Sequence, residues 1–190
     1  MVNQTEFSEE ANNNSEYQII EENLDLNPEQ EISSELESYE PPEGELHLRL
    51  YLSSKRELAI PATGIREVVS QSPNLITPIP NASVLLLGTM NLRGQVIWVA
   101  DLGQFLGEPG VLTTERSEIP IVAIEDQETI MGLAVEQIAG MEWLDSEQLE
   151  MASNLSDEMA PFIEGEWEWE NSSLLLLNPS AILRSARWAA

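Results

Sequence analysis

The sequence predicts a mainly β fold made of two related units of short strands. Each unit is closed by a short helix, and a long acidic tail precedes both. Three observations predict this. Apolar and polar residues alternate just after a Pro-Gly hinge, two strand–turn–strand patterns recur, and two segments run the same length from a glycine to a helix-capping residue. Short strands with turn signals between them favour small barrels over a parallel sheet.

The tail comes first. The chain carries 34 acids against 8 bases, a formal net charge of −26, and Met1 to Glu45 holds 14 of those acids and no base. Such a segment repels itself and buries too little apolar surface to offset ordering entropy, so residues 1–44 read as a disordered leader. Its one apolar cluster, Tyr17, Ile19, Ile20, Leu24 and Leu26, leaves open a short helix that folds on a partner. Deleting Met1 to Pro42 is expected to leave the melting temperature unchanged. Glu40-Pro-Pro-Glu-Gly44 then reads as a hinge.

The domain reads from residue 45 to 187. Leu46, Leu48, Leu50 and Leu52 alternate with Glu45, His47, Arg49 and Tyr51, the period of a half-buried strand. Ser53 to Arg56 turns the chain into Leu58-Ala59-Ile60. A second hairpin pairs Ile119 to Ile124 with Ile130 to Val135 across the polar turn Glu125 to Glu128. A similar apolar spacing follows each hairpin, Ile65/Val68 in one case and Ile138/Met141 in the other.

Further on, Gly88 to Asp101 and Gly165 to Asn178 match in length without a gap. Each leaves its glycine as a strand, turns near Gly94 or Asn171, and returns as an apolar run, Val96 to Ala100 or Leu174 to Leu177. Asp101 and Asn178 are suited to accept hydrogen bonds from the first free N–H groups of a helix, and Pro179 fits a first helical position. The units span roughly 46–107 and 119–185. In this alignment Arg93 corresponds to Glu170 and Glu67 to Gly140, so the fold demands neither charge. Arg93 is then free to serve recognition, although a solvated turn residue fits the same position.

Gly88 to Leu102, GTMNLRGQVIWVADL, resembles the signature of the CheW-like family of chemotaxis coupling proteins: a Gly-x-x-Asn-Leu-Arg-Gly turn, an apolar strand and Asp-Leu. GIREVV (Gly64 to Val69), ITPIP (Ile76 to Pro80) and GLAVEQIAGM (Gly132 to Met141) extend the likeness over 45–187. The resemblance implies two intertwined five-stranded SH3-like barrels with short capping helices. It also implies a non-catalytic adaptor that joins the cytoplasmic tip of methyl-accepting receptors to the regulatory domain of a CheA-type histidine kinase. By the same resemblance Arg93 matches the signature arginine of receptor and kinase coupling, Asn91, Leu92 and Gly94 shape its turn, and Ile65 and Glu67 match positions at the receptor-facing groove. A free-standing regulator that sequesters or inhibits a kinase or response regulator is the alternative. The acidic tail and Met159-APFIEGEWEWEN-Ser172 depart from the family pattern. Trp167 and Trp169 share a face of a strand there, which reads as core, with an exposed aromatic contact face as the alternative.

Other chemistries find little support. Cysteine is absent and His47 is the lone histidine, which excludes disulfides, thiolate sites and multi-histidine metal sites. His47 reads as a surface or edge residue. Ser153, Ser156, Ser172 and Ser173 lack a nucleophile elbow, and no glycine-rich loop opens a helix. No cofactor or metal is expected. The acid excess opposes binding to nucleic acid or anionic lipid. The longest apolar run, Val96 to Ala100, falls far short of the roughly 20 residues that span a bilayer. MVNQTEFSEE has neither the basic start nor the apolar stretch of a signal peptide, so a cytoplasmic protein at membrane-associated receptor arrays is expected.

Overall fold

The computed structural model describes residues 43–169 and 172–189. The tail read over 1–44 lies almost wholly outside these residues, as do Glu170 and Asn171. Ten strands follow in order: β1 (Glu45–Tyr51), β2 (Glu57–Pro61), β3 (Ile65–Gln71), β4 (Leu86–Leu92), β5 (Gln95–Asp101), β6 (Ile119–Asp126), β7 (Thr129–Ala134), β8 (Gln137–Leu144), β9 (Ile163–Trp169) and β10 (Ser172–Leu177). Helix α1 (Leu102–Phe105) follows β5 and α2 (Pro179–Leu183) follows β10.

The strands form two five-stranded sheets, β8-β1-β2-β10-β9 (barrel I) and β3-β6-β7-β5-β4 (barrel II). Replacing each strand of one order by its counterpart five places along the chain gives the other order, so the two halves are one pattern used twice. Isolated bridges Thr77↔Thr89 and Glu150↔Glu166 draw each sheet towards closure. The sequence units do not close on themselves, however. Each barrel combines three strands of one unit with the hairpin of the other, through the parallel pairs β5–β7 and β2–β10. A physical reason lies in the core. Leu48, Leu50, Leu58 and Ile60 of the β1–β2 hairpin and Val122, Ile124, Met131 and Leu133 of the β6–β7 hairpin belong to one buried cluster between the sheets. Each fully buried leucine or isoleucine there contributes about 1.5–3 kcal/mol.

The predicted caps are in place. Asp101 accepts the Gln104 N–H at 3.2 Å and Asn178 accepts the Ala181 N–H at 2.7 Å, with Pro179 at the first helical position. The two matched glycines also have one structural reason. A Cβ at Gly88 would meet the Thr77 carbonyl oxygen at 2.2 Å, and one at Gly165 the Glu150 carbonyl oxygen at 2.6 Å. Both sit where the bridging segment crosses the strand, and only glycine leaves room for it.

His47 departs from the sequence reading. It is 2% exposed, because β1 lies between β8 and β2 and both of its faces are covered. Its Nδ1 lies 2.8 Å from the Glu45 carbonyl oxygen, and its ring meets Trp167 edge-on at 5.3 Å. His47 and Arg49, which alternate with leucine here, face barrel I rather than water, whereas Glu45 at the strand's start is exposed. Trp167 packs in the same interior, as the core reading of the EWEWE stretch expects.

Candidate functional site

The β4–β5 hairpin turns in two residues, with Leu92 opposite Gln95. Arg93 (φ 49°) and Gly94 (φ 88°) both take positive φ, as a type I′ turn requires. Glycine accepts that conformation freely, whereas arginine does so at a cost. Asn91 offsets part of it, accepting the Gly94 N–H through Oδ1 at 2.8 Å. Leu92 points the other way and is buried in the interior of barrel II. The turn is therefore anchored by Leu92, braced by Asn91 and capped by an exposed arginine.

Arg93 is held in place. Its Nε and Nη2 each donate to a different oxygen of Glu67, both at 2.7 Å. Such a fork-to-fork pair fixes direction as well as distance. The Arg93 side chain still keeps 76% of its surface exposed. The hydrogen bonds from Arg93 hold the Glu67 carboxyl below the usual carboxylate range; partial burial opposes this, and the charges of Arg93 and Arg66 add to it. The same bonds raise the Arg93 guanidinium further above its ordinary value.

Glu67 reaches the turn because of a β-bulge. Ile65 pairs with Ile124 but Glu67 with Ala123, so Arg66 is an extra residue in the ladder. Ile124 faces the cluster between the sheets and Ala123 the interior of barrel II. Ile65 and Glu67, two residues apart, therefore lie on opposite faces. Arg93, Asn91, Gly94 and Glu67 come together at the turn, while Ile65 packs half-buried against the inter-sheet core.

The sequence reading missed a second charged group, inside barrel I. Arg49 donates from Nε to Glu57 at 2.7 Å and from Nη1 to Glu142 at 3.3 Å, and its guanidinium lies 4.4 Å from the centre of the Trp169 ring. Burial works against the Arg49 charge, but hydrogen bonds and charge from Glu57 and then Glu142 outweigh it and raise its pKa. The available signal was the β1 alternation, which places Arg49 on the same face as His47. Among the described residues, no group of three or more His, Cys, Asp or Glu side chains could hold a metal ion, and no helix is long and apolar enough to cross a membrane.

Two strand-exchanged barrels with a rigid, charged hairpin tip define a double-barrel β module with a preformed recognition turn. Residues 48–187 match the CheW-like domain, and the chain belongs to that family. It is 25% identical over 129 residues to the chemotaxis protein CheW of Thermotoga maritima, which covers 68% of this chain and 82% of the relative. The chemotaxis protein CheW of Rhizobium meliloti is 24% identical over 131 residues, with the same coverage, 68% and 82%. In fold it is similar to the scaffolding protein TtCheW from Thermoanaerobacter tengcongensis, with a TM-score of 0.61, 20% sequence identity and coverage of 71% of this chain and 89% of that one.

Proposed function

We propose that the chain is a non-catalytic adaptor of a chemosensory array. In this reading its 45–187 domain couples the cytoplasmic tip of methyl-accepting receptors to the regulatory domain of a CheA-type histidine kinase. The observation that carries it is the family-signature turn Asn91-Leu-Arg-Gly94, which presents Arg93 exposed yet fixed by Glu67. An arginine held in one direction meets a partner carboxylate with little further loss of side-chain entropy. Contacts of this kind set specificity and association rate more than raw affinity. Family membership and relatives named as chemotaxis proteins support the same role. Ile65, on the opposite face of β3, would serve the apolar groove rather than the charged tip. Signal would pass as a shift between kinase-on and kinase-off packings.

The test is binding of the full chain to a kinase regulatory domain and to a receptor-tip hairpin, separately and together. A ternary complex is expected, and Arg93→Glu should weaken it while leaving the melting transition cooperative. Kinase binding without any receptor contact would replace coupling by free-standing regulation, and binding to neither would leave only the fold. Loss of the cooperative melt in the variant would make Arg93 structural.

A further inference from the structure

Barrel I opens, where β1 begins and β8 ends, onto a cavity of about 260 Å³ lined by Trp143, Trp167, Trp169, Glu43, Asp145 and Glu168 among others. Small-molecule sites generally begin near 300 Å³, so this one suits a single side chain better than a whole cofactor. The ionisable side chains that line it are all carboxylates. Asp145 accepts the Glu147 N–H and the Gln148 side-chain amide, which leaves Glu43 and Glu168 as the freer pair, and the Arg49 guanidinium covers one side of Trp169. Among the described residues Glu43, Asp145 and Glu168 have no basic partner, because each of the seven arginines pairs with a different carboxylate. Lys55 lines another cavity.

The indoles supply the second half of the recognition. Trp167 is fixed by its Nε1–H, which donates to the Asp145 carbonyl at 2.8 Å. Trp143 stands 47% exposed on the edge strand β8. Trp169 already accepts one guanidinium, that of Arg49, over its ring. Indole rings attract cations through their quadrupole, most strongly when water is excluded, and carboxylates beside them add charge attraction.

We infer that this cavity receives an arginine side chain of a partner protein. Arginine fits better than lysine because guanidinium is planar, stacks on indole and gives up water more easily than ammonium. Residues 46–190 alone carry 20 acids against all 8 bases, a balance that favours the approach of basic partner surfaces. The inference does not depend on receptor coupling through Arg93, which lies on the other barrel, so either can fail alone.

The test titrates a short blocked peptide with one arginine into the full ¹⁵N-labelled chain at low salt, and follows the five indole N–H resonances. The control peptide carries citrulline, which keeps the shape and loses the charge. Saturable shifts are expected at Trp143 and Trp169 with the arginine peptide alone. Trp98 and Trp188, which line a separate cavity, should stay unmoved. Trp143→Ala should weaken binding about fivefold, and the exposed Glu168→Gln about threefold. Far-UV circular dichroism checks that both variants fold. Equal shifts with citrulline, equal shifts at Trp98 and Trp188, unchanged affinity in both variants, or no saturation would each overturn the inference.

Discussion

Barrels I and II share one strand pattern but keep their charge in different places. Register makes the comparison residue by residue: Leu48 lies between Ile60 and Met141 as Val122 lies between Leu133 and Val68. In that frame His47, Arg49, Glu57 and Glu142 of barrel I stand where barrel II has Ile121, Ala123, Ile130 and Val69. Barrel II has an apolar interior and carries its ion pairs outside, Arg93–Glu67 at the hairpin tip and Arg66–Glu125 between β3 and β6. Barrel I carries its ion pair inside, locked between two carboxylates and an indole. Glu67, half of the pair at the tip, stands where barrel I has Gly140, whose surroundings are open. The fold accepts either arrangement. Buried charge must be internally satisfied, whereas an exposed and fixed charge remains available to a partner.

The largest expected effect comes from breaking the barrel I cluster. The Arg49 and Glu57 side chains are only 18% and 9% exposed, so Arg49→Met leaves a carboxylate buried without its partner. This should cost about 3 kcal/mol in urea unfolding. Installing the residues of barrel II, as Arg49→Ala with Glu57→Ile and Glu142→Val, should recover most of the loss, since apolar replacements of buried ion pairs are often neutral. A triple variant no more stable than Arg49→Met would show that the two interiors are not interchangeable.

Next in size is the strand crossing. Gly88→Ala meets the Thr77 carbonyl and also forces a side chain onto φ 146°, so about 2 kcal/mol is expected. Gly165→Ala meets the Glu150 carbonyl without a positive φ and should cost less. Equal losses would mean that the crossing alone sets the cost. The caps come third. Asn178→Ala should cost about 1 kcal/mol. Asp101→Ala should cost about twice that, because Asp101 also accepts the buried Leu112 N–H at 3.2 Å.

These contrasts also explain what the sequence could reveal. Hairpins, caps and the Gly88/Gly165 match were legible because they depend on local geometry that recurs in both units. Strand exchange was legible only through the family resemblance, which implies intertwined barrels. The strand pattern alone is silent on it, because a hairpin offers the same edge to its own unit as to the other. The burial of His47 and Arg49 was hidden for a related reason. Alternation shows that two faces differ, and the polar face was assumed to be wet. At the site, Arg93, Asn91 and Gly94 could be read from turn chemistry alone. The bulge at Arg66 could not, and Ile65 and Glu67, which the resemblance assigns to one groove, lie on opposite faces of β3.

The smallest effect concerns acid. The Glu67 carboxyl titrates below its ordinary range in the folded chain because Arg93 donates to it, so the folded state binds that proton more weakly than the unfolded one. The pair therefore stabilises the fold fully above the unfolded carboxylate pKa, and that stability is lost as pH falls through the lowered folded pKa. Glu67→Gln should make the acid limb of a stability-against-pH curve slightly shallower and leave the neutral region almost unchanged, since exposed pairs contribute little. A large loss at neutral pH would mean that Glu67 holds the turn together. An unchanged acid limb would mean that Arg93 spends little time on Glu67. In that case the fixed arginine of barrel II would no longer contrast with the locked one of barrel I.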